Sequence, residues 1–293
     1  MNETPSYIIA TDSCADLPIE MIREMELEII PLTLDIEGIT YYNYPDERDL
    51  TFKTFYEKMR QKLVATTSLV SVGRFLEFFE PFLEQGKDIL YIGFSSALSG
   101  TYQSATIAAK ELAEKYPNRT IMTLDSKCAS MGQGLLIHYA YLRKLQHASI
   151  QEVAQYVEDN KLKICHLFTV DDLGTLQRGG RLSAPQYLLG SLLKVKPILH
   201  VSNEGKLVPI KKTRGRKTSL DTLVDLVKDH IKNPKSQTLM ISHGDSIDDA
   251  TYVGERLKRE LGIKTILYGY VGPVIGAHSG PGTIAIFFIG NQR

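Results

Sequence analysis

The sequence predicts an α/β protein of two domains, the first with a mostly parallel sheet flanked by helices, the second a smaller α/β domain. Three features of the 293 residues carry that reading. In the first half, short apolar runs alternate with stretches of helical period, the pattern of a parallel sheet covered on both faces. In the second half, two apolar runs flank a Gly-containing turn, the mark of a hairpin. A chain of this length also exceeds the usual span of one core.

Tyr7 to Thr11 reads as a buried strand, followed by Asp12-Ser13 and then Leu17-Pro18 opening a helix. Asp88 to Phe94 is a second strand, ending at Ser95-Ser96. Ala105, Ala108, Ala109 and Leu112 then fall on one helical stripe. Thr120 to Leu124 is a third strand, ending at Asp125-Ser126. Hydroxyl and acid side chains at the carboxyl ends of parallel strands predict a polar site in the crevice there, although they also serve as helix caps. Beyond an apolar run from Leu188 to Leu199, Pro197 to Val201 turns at Asn203-Glu204-Gly205 into Leu207 to Ile210. Leu220, Leu223, Val224 and Val227 carry helical spacing, and Thr238 to His243 and Ile284 to Ile289 read as strands. The domains are placed at 1–165 and 166–293, the C-terminal segment being a candidate to return to the first.

The 34 basic and 34 acidic side chains balance. That removes the electrostatic footprint of a general nucleic-acid binder. No apolar run approaches the ~20 residues needed to span a bilayer, and no secretory leader is visible. Cys14, Cys128 and Cys165 form neither a framework of pairs nor a metal spacing. A cytoplasmic protein with reduced thiols and no metal is the expectation.

Four segments are candidates for chemistry. Ser95, with Asp245 and His278 in that chain order, admits an α/β serine hydrolase. Against it, Ala97 replaces the elbow's last glycine, and Leu98 to Thr101 delays the helix that should follow at once. Leu173 to Ser183 reads as a polar loop presenting Arg178 and Arg181, a place to meet an anion. Lys211 to Lys217 carries five cations and reads as a basic loop for a nucleotide-bearing or acidic partner. Val271 to Gly282 reads as a tight Gly/Pro loop built around His278, an imidazole expected to titrate near neutrality. No Gly-rich phosphate loop accompanies these segments.

Together, Thr11-Asp12-Ser13, the run Ser95-Ser96-Ala97-Leu98-Ser99-Gly100-Thr101-Tyr102, Asp125-Ser126, Gly179-Gly180-Arg181, Lys196-Pro197-Ile198-Leu199, Arg214-Gly215 and His278-Ser279-Gly280-Pro281-Gly282 resemble the bacterial DegV family of fatty-acid-binding proteins. The resemblance runs through nearly the whole chain. It implies two α/β domains with one long-chain fatty acid between them and no other cofactor. It further implies a non-catalytic subunit that presents the carboxylate to a separate ATP-binding fatty acid kinase subunit, which makes the acyl phosphate for phospholipid synthesis; a transient membrane contact is compatible with that role. The carboxylate-binding threonine maps onto Thr67, beside Ser68. The family's Thr-Ser-Gln-Pro-Ser here reads Thr67-Ser68-Leu69-Val70-Ser71, a departure at Leu69 and Val70. The binding serine maps onto the Ser95-Ser96 pair, with Ser96 favoured, and the histidine onto His278. Arg181 and Arg214 look like the arginines used toward the kinase or the phosphoryl group.

Overall fold

The structure, a computed structural model, describes residues 7–182, 195–291 and 293. Strand β1 (Tyr7–Asp12) is followed by helix α1 (Ile19–Glu24), β2 (Glu28–Ile30), β3 (Thr33–Ile36), β4 (Ile39–Tyr42) and α2 (Phe52–Arg60). Next come β5 (Ala65–Ser68), α3 (Val72–Glu84), β6 (Asp88–Gly93), α4 (Thr101–Lys115), β7 (Ile121–Asp125), α5 (Met131–Leu145) and α6 (Ile150–Asn160). The second half runs β8 (Ile164–Thr169), α7 (Leu173–Arg178), β9 (Val195–Val201), β10 (Leu207–Arg214), α8 (Arg216–His230), β11 (Thr238–His243), α9 (Ile247–Leu261), β12 (Thr265–Tyr270), α10 (Pro273–Ser279) and β13 (Ile284–Ile289).

Among the described residues these strands form three sheets. The first has the order β2-β1-β6-β7 and is parallel throughout. Every residue of β1 is buried, as a strand with neighbours on both sides and helices on both faces requires. A small antiparallel sheet, β4-β3-β5, sets Thr67 opposite Leu34. The third, β10-β9-β8-β13-β11-β12, is mixed and larger than the first. Its β9–β10 hairpin pairs antiparallel, as the sequence predicts. Strand β13 lies between β8 and β11 in the third sheet and packs against α5, while α10 packs against α2, β3 and β5. The Arg293 guanidinium also reaches back, donating to the Lys127 carbonyl. The Leu188 to Lys194 part of the apolar run lies outside the described residues.

The polar strand ends tie loops together rather than lining a crevice. Asp12 accepts from the Cys14 and Phe94 amides and the Tyr91 hydroxyl, joining the loops after β1 and β6. Asp125 accepts from the Ser96 and Lys127 amides. Buried acceptors of this kind are costly unless satisfied, and backbone donors of neighbouring turns satisfy them here. All three cysteines are buried and none is in a disulfide. Among the described residues no helix is long and apolar enough to cross a membrane, and no three His, Cys, Asp or Glu side chains are grouped to hold a metal ion.

Candidate ligand site

The segment around His278 is a short helix rather than a loop. Pro273 supplies a preset φ in its first turn and Gly280, at φ 80°, ends it. The Tyr56 hydroxyl holds the approach to this helix by donating to the Val271 carbonyl at 2.7 Å. Leu173 to Arg178 is likewise a helical turn, capped by Asp172. Together these two helices bring the imidazole of His278 against Gly179. A β-carbon at residue 179 would stand 2.3 Å from His278 Nδ1, so glycine is what lets the ring lie there. On its other side, His278 Nε2 is 2.8 Å from Thr67 Oγ1 at the end of β5. Burial, then the positive charge of Arg181, pushes the imidazole down to about 4. It is therefore neutral at physiological pH, not poised near neutrality.

Thr67, Ser68, Ser99, Arg181 and His278 all line one cavity of ≈ 210 Å³, many times what a single water needs. The remaining wall is mostly apolar, with Leu32 and Phe94 from loops and Phe168, Val201, Ala285 and Phe287 from strands of the third sheet. Of the other polar groups in the wall, the buried Ser279 hydroxyl has no hydrogen-bond partner among the described residues, whereas three more are already engaged. His166 accepts from the Ala129 amide at Nε2 and donates to the Ile164 carbonyl from Nδ1, a tautomer assigned from these partners. Ser130 donates to Asp16, and Thr283 donates to the Ser279 and Gly280 carbonyls. Arg181 is different. Its guanidinium donates to the Leu98 and Gly179 carbonyls, and among the described residues no carboxylate forms an ion pair with it. The cavity thus has an apolar body and one cationic, hydroxyl-bearing end.

The other sequence candidates lie elsewhere. Ser95 is fully buried but outside the cavity wall, its hydroxyl donating to the Gly205 carbonyl at the tip of the β9–β10 hairpin. Ser96 is exposed and its hydroxyl accepts from Lys127, so neither serine of the pair borders the cavity; Ser99 and Ser68 do. The hydrolase triad is not assembled either. Asp245 pairs with Arg60 and accepts from Tyr270, while His278 faces Thr67. The basic segment is no single loop but the end of β10 and the first turn of α8. Arg216 pairs with Asp249 and Asp171, and Lys217 with Asp221. Arg214 is exposed at the end of β10 and does not line the cavity. Sequence reasoning missed Ser99, although it stands in the same run as Ser95 and Ser96, because only the fold decides which serine faces inward.

The imidazole carries a pH signature. Its folded value lies below the ordinary 6.5, so the unfolded chain takes up this proton first as pH falls. The contribution is intact above pH 6.5 and is lost as pH drops toward 4, by at most on the order of 3 kcal/mol. In delipidated protein, His278→Gln should flatten the fall in thermal stability across that window. An unchanged slope would show that the ring is not held neutral by its surroundings.

Fold and site together define an α/β protein built around an amphipathic cavity. A sequence model of the family described as "Uncharacterised protein, DegV family" matches residues 6–291. A DegV domain-containing protein of Clostridium perfringens is 44% identical over 287 residues, 98% of each chain. The chain belongs to the DegV family. Among solved structures, a fatty-acid-binding DegV family protein of Thermus thermophilus superposes with a TM-score of 0.87 at 27% identity, covering 97% of this chain and 99% of that one. DegV of Bacillus subtilis, described as a fatty acid binding protein, gives 0.84 at 32% identity over 98% and 100% of the two chains.

Proposed function

We propose that this chain binds a long-chain fatty acid, tail in the apolar cavity and carboxylate at Thr67, His278 and Arg181, and presents that carboxylate to a separate ATP-dependent kinase subunit. The observation that carries the reading is a mostly apolar cavity with a cationic, hydroxyl-bearing end, where Arg181 lacks a carboxylate partner among the described residues. A fatty acid supplies both missing parts. The fatty-acid-binding descriptions of the Thermus and Bacillus relatives support the same ligand. Neutral Thr67 and His278 can hydrogen-bond a carboxylate while leaving an oxygen free to attack the terminal phosphorus of ATP. The new oxygen–phosphorus bond forms as the bond to ADP breaks, giving an acyl phosphate. Arg181 then faces the added negative charge.

The test uses labelled palmitate bound to the purified chain, an ATP-binding kinase subunit, ATP and hydroxylamine to trap acyl phosphate as hydroxamate. Product should appear only with all components present. Arg214→Glu, outside the cavity lining, should slow trapping about tenfold or more while palmitate remains bound, as loss of a charged contact to a partner does. No ATP-dependent hydroxamate from the loaded chain would defeat the kinase-subunit reading; loss of palmitate in the variant would place Arg214 in ligand retention instead.

A further inference from the structure

A second cavity, of ≈ 330 Å³, lies on the other face of the six-stranded sheet. Side chains alternate across a strand, so Cys165 and Leu167 of β8 look toward α8 while Phe168 looks into the first cavity. The floor of the second is apolar, built by Leu167, Leu226 and Phe288. Beside Cys165 and the buried His166, which borders both cavities, its polar lining is basic: His200 from β9, Lys211 from β10, His230 from the last turn of α8, and Arg293. Among the described residues no Asp or Glu lines it.

Two features make this more than a gap in packing. Pro209 pairs with Leu199 and Lys211 with Ile198, so Ile210 is an extra residue and β10 bulges where it borders the cavity. A bulge re-aims side chains, and both Ile210 and Lys211 line the cavity. Meanwhile the Arg293 guanidinium is pinned by the Ile164, Lys127, Ser202 and Lys161 carbonyls. Its charge is fixed in place, and among the described residues no Asp or Glu pairs with it. The His200 imidazole is held below its usual range, chiefly by burial and then by the neighbouring charges of Arg293 and His230.

We propose that this second cavity binds an organic phosphate, its apolar body on Leu226 and Phe288 and its phosphate among His200, His230 and Lys211. Lysine supplies charge and the His200 imidazole a ring N–H donor to a phosphate oxygen, while His230, its Nδ1 held by the Leu226 carbonyl at 2.8 Å, turns its Nε2 edge to the site. The fixed guanidinium adds attraction without having to reorganise. None of this rests on what fills the first cavity.

The experiment titrates phenyl phosphate into the full chain and follows the ring proton signals of His200, His230 and His278 by NMR. Saturable shifts at His200 and His230, but not at His278, are expected. Lys211→Glu, with the histidines intact at an exposed position, should weaken binding about tenfold or more. Phenol, the neutral body alone, should bind much more weakly. No saturable shift, shifts centred on His278, or equal affinity in Lys211→Glu would each overturn the proposal, leaving a hydrated packing void. Equal binding by phenol would overturn the phosphate assignment.

Discussion

Ala285→Trp should cost this protein most of its affinity for long-chain fatty acid while leaving it folded. Ala285 sits on β13 opposite Phe168, buried, with its methyl group on the cavity wall. An indole there grows into open space rather than into packed neighbours, so the usual penalty of overpacking is small. It displaces the ligand instead. Excluding three or four methylenes at about 0.8 kcal/mol each removes about 2–3 kcal/mol, roughly 30- to 150-fold in affinity. Calorimetric titration should show the loss for palmitate and a much smaller one for decanoate, whose tail ends sooner. Equal losses for both would mean that the tail does not run past Ala285.

Gly179→Ala is the second substitution with a large expected effect, and its backbone makes it clean. Residue 179 has φ −72° and ψ −8°, which alanine adopts without strain. Its β-carbon, however, would stand 2.3 Å from His278 Nδ1, and the ring must move off Thr67. Fatty acid affinity should fall about tenfold or more, the worth of a hydrogen bond to a charged group. His278→Ala should cause a similar loss, and the double variant no more than either alone. That non-additivity separates displacement of the ring from general damage. Additive losses would show that Gly179 acts through something other than His278.

The parts of the fold legible in the sequence are those with strong local signals. Strands β1, β6 and β7 are apolar runs, and the Asn203-Glu204-Gly205 turn announces the hairpin of β9 and β10. The small β4-β3-β5 sheet was not legible: Ala65 to Ser68 is short, weakly apolar and half-exposed, and it is a strand because Leu34 and Ile36 on β3 bury themselves beside it. Helix α10 hid behind its own punctuation, since proline and glycine mark loops as readily as the first turn and the end of a helix. At the site, the family resemblance points to Thr67 and His278, and the two stand together. It points as well to Ser95 and Ser96, which do not border the cavity. What turns Ser95 away is the Gly205 carbonyl, 110 residues along the chain, and no local pattern reports such a contact. Arg181 faced a similar limit. Its place at the polar end depends on a carbonyl of Leu98 and on the absence of a nearby acid among the described residues, both facts of three dimensions.

The most direct measurement is organic extraction of the gently purified chain followed by mass spectrometry of the extract. The account predicts a near-equimolar amount of long-chain fatty acid, sharply reduced in Ala285→Trp. A wild-type extract free of fatty acid, from protein that also fails to take up added palmitate, would contradict it.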